Sequence, residues 1–538
     1  MKNLLTILAL ISSMMLYADF KERVQLITDK NTYLAGEDVL VSFITTDEHL
    51  KPVTFSKVGY IELADSTESL SQVMFTINNG CGSGIISIPE DLPTGYYRLC
   101  AYTRFMRTES PAVQTEQLIS IINARTLHHS QLETTDPTNQ VTPEIQDTTY
   151  LSTDKQEYGL RQTGKITVRN LPSDLAIYHL SVAAHFPGTT PAPQITRTNK
   201  SLQLSKGAFP AEYEGHIIRA RINGDLPGNV PVLLSVPGNQ PGLVAGKRIS
   251  ENEYEFISNF ITGKTDLASS INTPNNERYS LDFLTPFAGV DFLPTPAFLP
   301  DSNYLQDIQK RYIALQAKEN FQPQLYKPVT LSQSILYTPD WIYKLEEFTR
   351  FNTIEEVILE YVSNVRFRKV GNKRTLAVNR EGPDGYTIGN TLVLLDNVPV
   401  FNHDLLLQYN AALIERIEIY RGQFVFSGQL YDGIVTFNTY EKDFRGFQLD
   451  TSTLISTYTG PQNNWILADI PELSPSERAH TPDLRTTLVW ENKNTSNGSI
   501  KYETHFTTSD VSGTYRVQLW GLTRSGKPIS SSTNIEIK

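Results

Sequence analysis

The sequence predicts a mainly β protein in which tandem β-sandwich domains carry one small α/β domain. From Arg23 to about Arg125, short strand patterns alternate with turn signals about every 8–12 residues, which is typical of a sandwich. A six-residue motif, Thr28–Tyr33, recurs as Thr153–Tyr158 at the start of a second strand-rich region. Between residues 353 and 440, one amphipathic helix pattern is followed by three strand patterns, which indicates the α/β domain.

Length and composition limit the class of protein. At roughly 100–200 residues per domain, the 538 residues predict several domains. The 47 basic and 58 acidic side chains give a net charge of −11, which argues against nucleic-acid binding because phosphates require a basic face. Two cysteines are too few for a disulfide-dense scaffold or a Cys-rich metal module.

The first residues have the pattern of a secretory signal peptide. Lys2 supplies one positive charge, Leu4 to Leu16 is apolar apart from Thr6 and two serines, and Ala18 offers a small residue for cleavage. A membrane anchor is the alternative, but a span needs about 20 apolar residues. We therefore expect export, cleavage after Ala18, and no transmembrane span in the mature chain.

Export permits disulfides, and both cysteines fall in one predicted sandwich. Cys81 lies in a glycine-rich turn pattern and Cys100 in a strand pattern. A Cys81–Cys100 bridge would close a loop of about 20 residues, worth about 3 kcal/mol. The alternative is two separate buried thiols.

Composition shifts divide the chain into eight predicted segments. For the last segment, residues 446–538, a C-terminal sorting domain of a secretion system is the alternative interpretation. The segments are a signal peptide (1–18), a first β-sandwich (19–125), a polar linker (126–149), a second β-sandwich (150–215), a third β domain (216–300), a helical connector (301–345), the α/β domain (346–445) and a C-terminal β-sandwich (446–538).

Two motifs in the first sandwich have counterparts in a known family. The "Asp-Lys-x-x-Tyr…Gly-Glu-x-Val" opening at residues 29–39 and the "Leu-Pro-x-Gly-Tyr-Tyr-x-Leu" strand at 92–99 resemble macroglobulin-type domains of alpha-macroglobulins. The resemblance covers 24–122 well and 151–182 weakly, where Gly164-Lys165 replaces Gly-Glu. The family's thioester run, Cys-x-Glu-Gln, is absent, so the resemblance does not imply protease trapping through a thioester.

The α/β segment carries a second resemblance. Its strands "LVLLDNVPV", "IERIEIYRG" and "YDGIVTFNTY" are similar, in order, to the plug domain of TonB-dependent outer-membrane receptors. Asn397 and Asp432 stand where that family has glycines. Only 98 residues follow Tyr440, too few for a receptor barrel of about 22 strands. The resemblance therefore implies a plug-like domain without a barrel.

No catalytic or metal motif emerges, and we predict no cofactor. None of the nine histidines has the spacing of a metal motif, and no Gly-x-Ser-x-Gly or P-loop pattern occurs. The charged residues on the turns of the α/β domain, Asp396, Arg421 and Asp432, are the candidate binding residues, because loops on a rigid scaffold usually carry recognition. Alternatively, Asp396 and Asp432 bond turn amides.

These observations together predict a non-enzymatic exported binding or scaffold protein of a Gram-negative envelope. We expect it in the periplasm or associated with the outer membrane, as an accessory subunit whose partner is an outer-membrane or periplasmic protein. The alternative is a stand-alone binder of a glycan, siderophore or other small ligand. A cryptic hydrolase is a third possibility, which no residue pair in the sequence singles out.

Overall fold

A computed structural model of the chain describes sixteen stretches of residues. The predicted signal peptide and most of the predicted linker lie outside them. The described residues are 20–109, 111–127, 147–186, 194–198, 210–224, 230–238, 242–272, 279–321, 326–328, 338–371, 373–379, 385, 390–426, 428–467, 480–494 and 501–538.

Strands dominate the described part of the chain, as predicted. The first thirteen strands are β1 (Glu22–Thr28), β2 (Thr32–Leu34), β3 (Asp38–Asp47), β4 (Val58–Ala64), β5 (Ser69–Asn78), β6 (Cys81–Ser87), β7 (Gly95–Tyr102), β8 (Val113–Ile122), β9 (Leu151–Thr153), β10 (Glu157–Tyr158), β11 (Thr163–Arg169), β12 (Leu175–Ala184) and β13 (Ile195–Thr198). The next elements are β14 (His216–Asn223), β15 (Val232–Ser235), β16 (Leu243–Ala245), β17 (Lys247–Arg248), β18 (Glu253–Ser258), β19 (Lys264–Ile271), β20 (Ser280–Phe283), helix α1 (Leu305–Phe321), β21 (Tyr326–Pro328) and β22 (Trp341–Lys344). The last are helix α2 (Ile354–Glu360), β23 (Val365–Val370), β24 (Lys373–Val378), β25 (Leu392–Leu395), β26 (Val398–Pro399), helix α3 (His403–Leu407), β27 (Ile414–Phe426), β28 (Gln429–Thr439), β29 (Thr453–Thr459), β30 (Trp465–Leu467), β31 (Thr487–Asn494), β32 (Lys501–Thr507), β33 (Gly513–Thr523) and β34 (Pro528–Ile537).

The first sandwich is formed by β1 to β8 with β13 added at one edge, in the order β1-β3-β6-β5-β4-β7-β8-β13, while β2 pairs with β8. The glycine-rich run of this sandwich, residues 80–84, packs against one aromatic ring. A Cβ atom on Gly82 or Gly84 would come within 3 Å of the Phe75 ring, which is fully buried. The turn predicted for this run is confined to residues 79–80; strand β6 begins at Cys81, and the glycines of that strand make room for Phe75.

The second sandwich combines two distant parts of the chain. One sheet has the order β10-β34-β33-β12-β31, and the other β32-β11-β9. The segments predicted as a second sandwich (150–215) and a C-terminal sandwich (446–538) thus share both sheets. The prediction of two separate sandwiches was wrong because the strands that pair with β12 are distant in sequence. Strand β12 pairs with β33 on one side and with β31 on the other.

The six-residue repeat marks the same position in both sandwiches. Asp29 Oδ1 accepts hydrogen bonds from the Tyr33 hydroxyl (2.7 Å) and the Leu40 amide (3.1 Å). Asp154 Oδ1 does the same with the Tyr158 hydroxyl (2.9 Å) and the Lys165 amide (2.5 Å). The short strand at the end of each motif pairs in parallel with a later strand of its sandwich, β2 with β8 and β10 with β34.

A third sandwich and the α/β domain form a second compact unit, Glu214–Pro286 and Leu331–Pro461; the remaining residues form the first unit. The third sandwich has sheets β17-β18-β14-β20 and β16-β15-β19-β29. Strand β29 follows the α/β domain in sequence, so the α/β domain is inserted within this sandwich. Along the sequence, the strands of the third sandwich come between the two segments that form the second sandwich.

The α/β domain is a five-stranded sheet, β22-β27-β28-β25-β26, with α2 and α3. The predicted capping box is confirmed: the Thr353 hydroxyl accepts from the Glu356 amide, and the Glu356 carboxylate accepts from the Thr353 amide. The apolar side of α2, including Ile354, Val357 and Ile358, is buried in the same core as the inner face of the sheet.

The predicted disulfide is wrong: both thiols are free and buried. In the sheet order, β5 and β4 lie between the strands of Cys81 and Cys100. Cys81 packs instead among Ile27, Ile44 and Ile177. Burial raises the pKa of the Cys81 thiol to about 12, so it has little thiolate to react.

We expect neither cysteine to react with an alkylating reagent while the protein is folded. Without reductant, intact-mass spectrometry should show no modification of the native chain and two modifications after denaturation, because both thiols are shielded and unpaired. A denatured chain that takes up no label would contradict the free thiols.

His179 is a buried histidine whose lowered pKa should make the first unit sensitive to acid. Burial lowers its pKa from 6.5 to about 4, and the Asn492 side chain bonds its Nδ1 at 2.8 Å. The unfolded chain therefore takes up a proton as pH falls below about 6.5, whereas the folded chain does not do so until about 4, and stability is lost across that window.

We expect this one group to contribute about 3 kcal/mol of the loss between pH 6.5 and 4. His179→Gln should make the slope of unfolding free energy against pH shallower, so that about 3 kcal/mol less is lost between pH 6.5 and 4, measured by urea denaturation with tryptophan fluorescence. His49→Gln, at an exposed histidine, is the matched control and should leave the slope unchanged. Equal slopes in the His179 variant and wild type would contradict the assignment.

Candidate functional site

The charged turn residue Asp396 is fully buried and holds the end of the α/β sheet together. Its carboxylate accepts hydrogen bonds from the Thr439 amide (2.7 Å), the Thr439 hydroxyl (2.6 Å) and the Phe444 amide (2.8 Å). Its backbone adopts a positive φ of 46°, which aspartate tolerates better than most residues. These bonds occupy both carboxylate oxygens within the turn.

Arg421 and Asp432 also have partners within the domain. The Arg421 guanidinium bonds Asp340 Oδ1 through Nε (3.1 Å) and Nη2 (3.0 Å) and lies 4.5 Å from the centre of the Trp341 ring. These contacts attach edge strand β22 to β27. Asp432 accepts a hydrogen bond from the Gln423 side chain at 3.0 Å across the β27–β28 hairpin.

The three predicted residues do not meet at one site. Strands β25 and β28 are parallel, with Leu395 opposite Phe437, so Asp396 lies near the end of β28. Asp432 precedes Phe437 by five residues, about 16 Å along an extended strand. Arg421 follows Tyr420, which pairs with Ile434 near Asp432. Ligand or partner binding by these three residues stays a prediction, whereas their hydrogen bonds within the α/β domain are present in the structure.

We expect Asp396→Ala to destabilise the α/β domain by about 3 kcal/mol, because the substitution removes the carboxylate that accepts hydrogen bonds from buried amides and leaves those amides without an acceptor. Hydrogen exchange followed by mass spectrometry on peptides from residues 392–444 would measure the loss. Arg421→Ala should cost about 1 kcal/mol or less, since water can reach its partly exposed ion pair. Asp432→Ala removes a buried carboxylate and should cost about 1–3 kcal/mol.

The same variants test binding. An Arg421→Ala/Asp432→Ala protein with normal exchange that no longer captures a partner from envelope extracts would place the site on these turns. Normal capture by that double variant would confine both residues to a structural role.

An aromatic cleft in the first unit has the geometry of a binding site. It is lined by Phe20, Thr54, Phe55, Lys57, Phe105 and Tyr213 and has a volume of about 470 Å³. Small-molecule sites typically have volumes of about 300–1,000 Å³ and mainly apolar walls. Sequence reasoning did not find this cleft, because its residues come from four separate parts of the chain.

The four rings contact one another around the cleft. The Phe20 ring centroid is 4.6 Å from that of Phe55 and 5.5 Å from that of Phe105. The Tyr213 centroid is 6.4 Å from that of Phe55 and 6.2 Å from that of Phe105. Tyr213 nevertheless remains 50% exposed, so the rings form an open wall and not a closed core.

Glu212 positions Tyr213 at this cleft. Its backbone oxygen accepts a hydrogen bond from the Lys57 amide (2.9 Å), and its carboxylate accepts one from the Tyr60 hydroxyl (2.8 Å). The same carboxylate lies 3.6 Å from Arg104 Nη1. Because Glu212 is buried and bonded through both its backbone and its side chain, the neighbouring tyrosine is held in place.

A buried carboxylate, Glu22, belongs to the same region. The hydroxyls of Ser56 and Thr103 each donate to it at 2.6 Å. Burial raises its pKa, although these hydrogen bonds oppose the rise. Burial also raises the pKa of Tyr213, and the negative charge of Glu22 adds to that rise.

The described residues contain no helix long and apolar enough to cross a membrane. Among those same residues, no group of three or more His, Cys, Asp or Glu side chains could hold a metal ion.

Comparisons with known proteins give distant structural similarity alone. No family model and no curated protein matches the sequence. Salmonella alpha-2-macroglobulin reacted with methylamine aligns over 96% of this chain and 39% of its own, with 8% identity and a TM-score of 0.24. Native Escherichia coli alpha-2-macroglobulin aligns over 97% and 40%, with 8% identity and the same TM-score.

An Escherichia coli adhesin, FdeC, aligns over 47% of this chain and 61% of its own, with 11% identity and a TM-score of 0.16. The chain thus spans about two fifths of the macroglobulins that it matches. Similarity this distant assigns neither activity nor partner.

Proposed function

We propose that this protein is a non-enzymatic, exported binding and scaffold protein of a Gram-negative envelope, and that it binds a small ligand in the aromatic cleft. One observation carries the proposal: four rings from separate parts of the first unit surround a volume of about 470 Å³ that no described side chain fills. Apolar rings left at a surface cost free energy, so such a cluster usually marks a binding site.

The proposal selects between two predictions from the sequence. A stand-alone binder of a small ligand requires a preformed pocket, and the cleft supplies one. The charged turn residues of the α/β domain, in contrast, bond their own domain. The cleft therefore supports the ligand-binding alternative better than it supports recognition by those turns.

A second candidate function is the accessory subunit of an outer-membrane assembly. It is favoured by the β27–β28 hairpin, where Val425 is 66% and Leu430 43% exposed. Exposed aliphatic side chains on a hairpin suit contact with another protein. In this proposal the α/β domain is the plug-like module that its three sequence motifs indicate, and it docks from the periplasmic side.

We expect Tyr213→Ala to weaken ligand binding by about tenfold or more, since an aromatic wall contributes both area and ring contacts. Saturation-transfer NMR with a set of aryl and branched aliphatic fragments would measure binding. Tyr213 is half exposed, so its loss should leave the melting temperature nearly unchanged.

Phe292→Ala is the matched control, because Phe292 lies in the same unit, is 43% exposed and does not line the cleft. Equal binding of the fragments to the wild type, Tyr213→Ala and Phe292→Ala proteins, or no binding to any of the three, would refute the proposed function of the cleft.

A further inference from the structure

We propose that the aromatic cleft selects amphiphilic carboxylates, that is, a compact aryl or branched aliphatic group bearing one negative charge. This inference rests on the proposed function of the cleft and names its ligand class. Two independent features carry it: the angles between the rings, and the single charge among the lining residues.

The ring geometry favours a compact apolar group. Four of the five ring pairs are inclined by 44° to 70°, and the Phe55–Phe105 pair alone is near parallel at 23°. Inclined rings contact a compact ligand from several directions, whereas a sugar stacks one face of its ring on a single aromatic ring. Few of the described lining residues have polar side chains: Thr54, Lys57 and Tyr213.

The charge of the lining favours an anion. Among the described residues that line the cleft, Lys57 is the one with a charged side chain. Within the described residues, it forms no ion pair. A single cation without a counter-ion favours one carboxylate and gives no basis for binding a polyanionic siderophore, which would need several cations.

The charged residues that follow Phe20 in sequence have partners of their own. Lys21 lies 3.3 Å from Glu48, and Arg23 binds both carboxylate oxygens of Glu109. Glu22 is fully buried, and its oxygens accept hydrogen bonds from neighbouring hydroxyls. In this proposal a carboxylate in the cleft pairs with the Lys57 ammonium, and no anionic side chain is among the described residues that line the cleft.

The test uses three probes that share one apolar body: 4-phenylbutyrate, 4-phenylbutan-1-ol and 4-phenylbutylamine. Isothermal titration calorimetry of the full chain at pH 7.5 and low salt should rank them in that order. We expect about a fivefold difference between butyrate and amine, the size of a partly exposed ion pair. The difference should shrink as salt is added.

Substitution of Lys57 makes the test specific. Lys57→Gln should bring the three affinities together while leaving that of the alcohol unchanged, and Lys57→Arg should restore the ranking. Lys51→Gln removes an exposed lysine outside the lining and should change nothing. Thermal melting of each variant verifies folding.

The outcomes separate the two proposals. If the amine binds as tightly as the butyrate or more tightly, or if the ranking persists in a folded Lys57→Gln protein, the selection for carboxylates is wrong while the cleft remains a binding site. If no probe of any charge binds the wild-type chain, the proposed function of the cleft fails as well.

Discussion

The arrangement of the first unit depends on one buried ion pair, between Glu37 of the first sandwich and Arg311 of α1. Arg311 Nη2 lies 2.9 and 2.7 Å from the two carboxylate oxygens, and Lys30 approaches to 3.7 Å. Burial alone would raise the pKa of Glu37, but the charges of Arg311 and Lys30 lower it to about 2. Losing one partner of such a pair costs about 3–5 kcal/mol, because the other charge remains buried.

The same network reaches the returning end of the chain. Lys30 donates to the Thr486 hydroxyl at 3.1 Å, and Asp29 accepts from the Thr487 hydroxyl at 2.7 Å. The first sandwich, α1 and β31 therefore meet at one polar junction, although long stretches of sequence separate them. Such non-local pairing makes folding slow, because chain closure costs entropy before the contacts form. The second sandwich cannot complete its central sheet until the last strands are available.

If the cleft binds a ligand as proposed, structural and recognition roles fall on different kinds of residue in this protein. The charged side chains on the turns of the α/β domain satisfy amides and strand edges; Asp396, fully buried, shows this most clearly. The described residues that line the cleft are, in contrast, mainly aromatic, with one lysine among them. A carboxylate that already accepts several hydrogen bonds gains little from a ligand, whereas a half-exposed ring gains the burial of its remaining surface.

The sequence by itself determined the local features: the strand-rich class, the capping box of α2, and the repeated Asp-Lys-x-x-Tyr motif. Each depends on neighbours within a few residues, so spacing and residue type suffice. The repeat even indicated two homologous sandwich openings, and Tyr97 and Tyr515 each bond the carbonyl four residues earlier near the closing strands. The tertiary structure alone decided which opening belongs to which closing strand.

Three outcomes were beyond local reasoning for the same physical reason. Strand β12 pairs with strands more than 300 residues later, the two cysteines are kept apart by intervening strands, and Tyr213 and Phe20 both contact the ring of Phe55. Each depends on chain segments that are brought together by burial and not by proximity in sequence. Hydrophobic burial is non-directional, so the pattern of apolar residues shows that a face is covered, and only the folded chain shows what covers it.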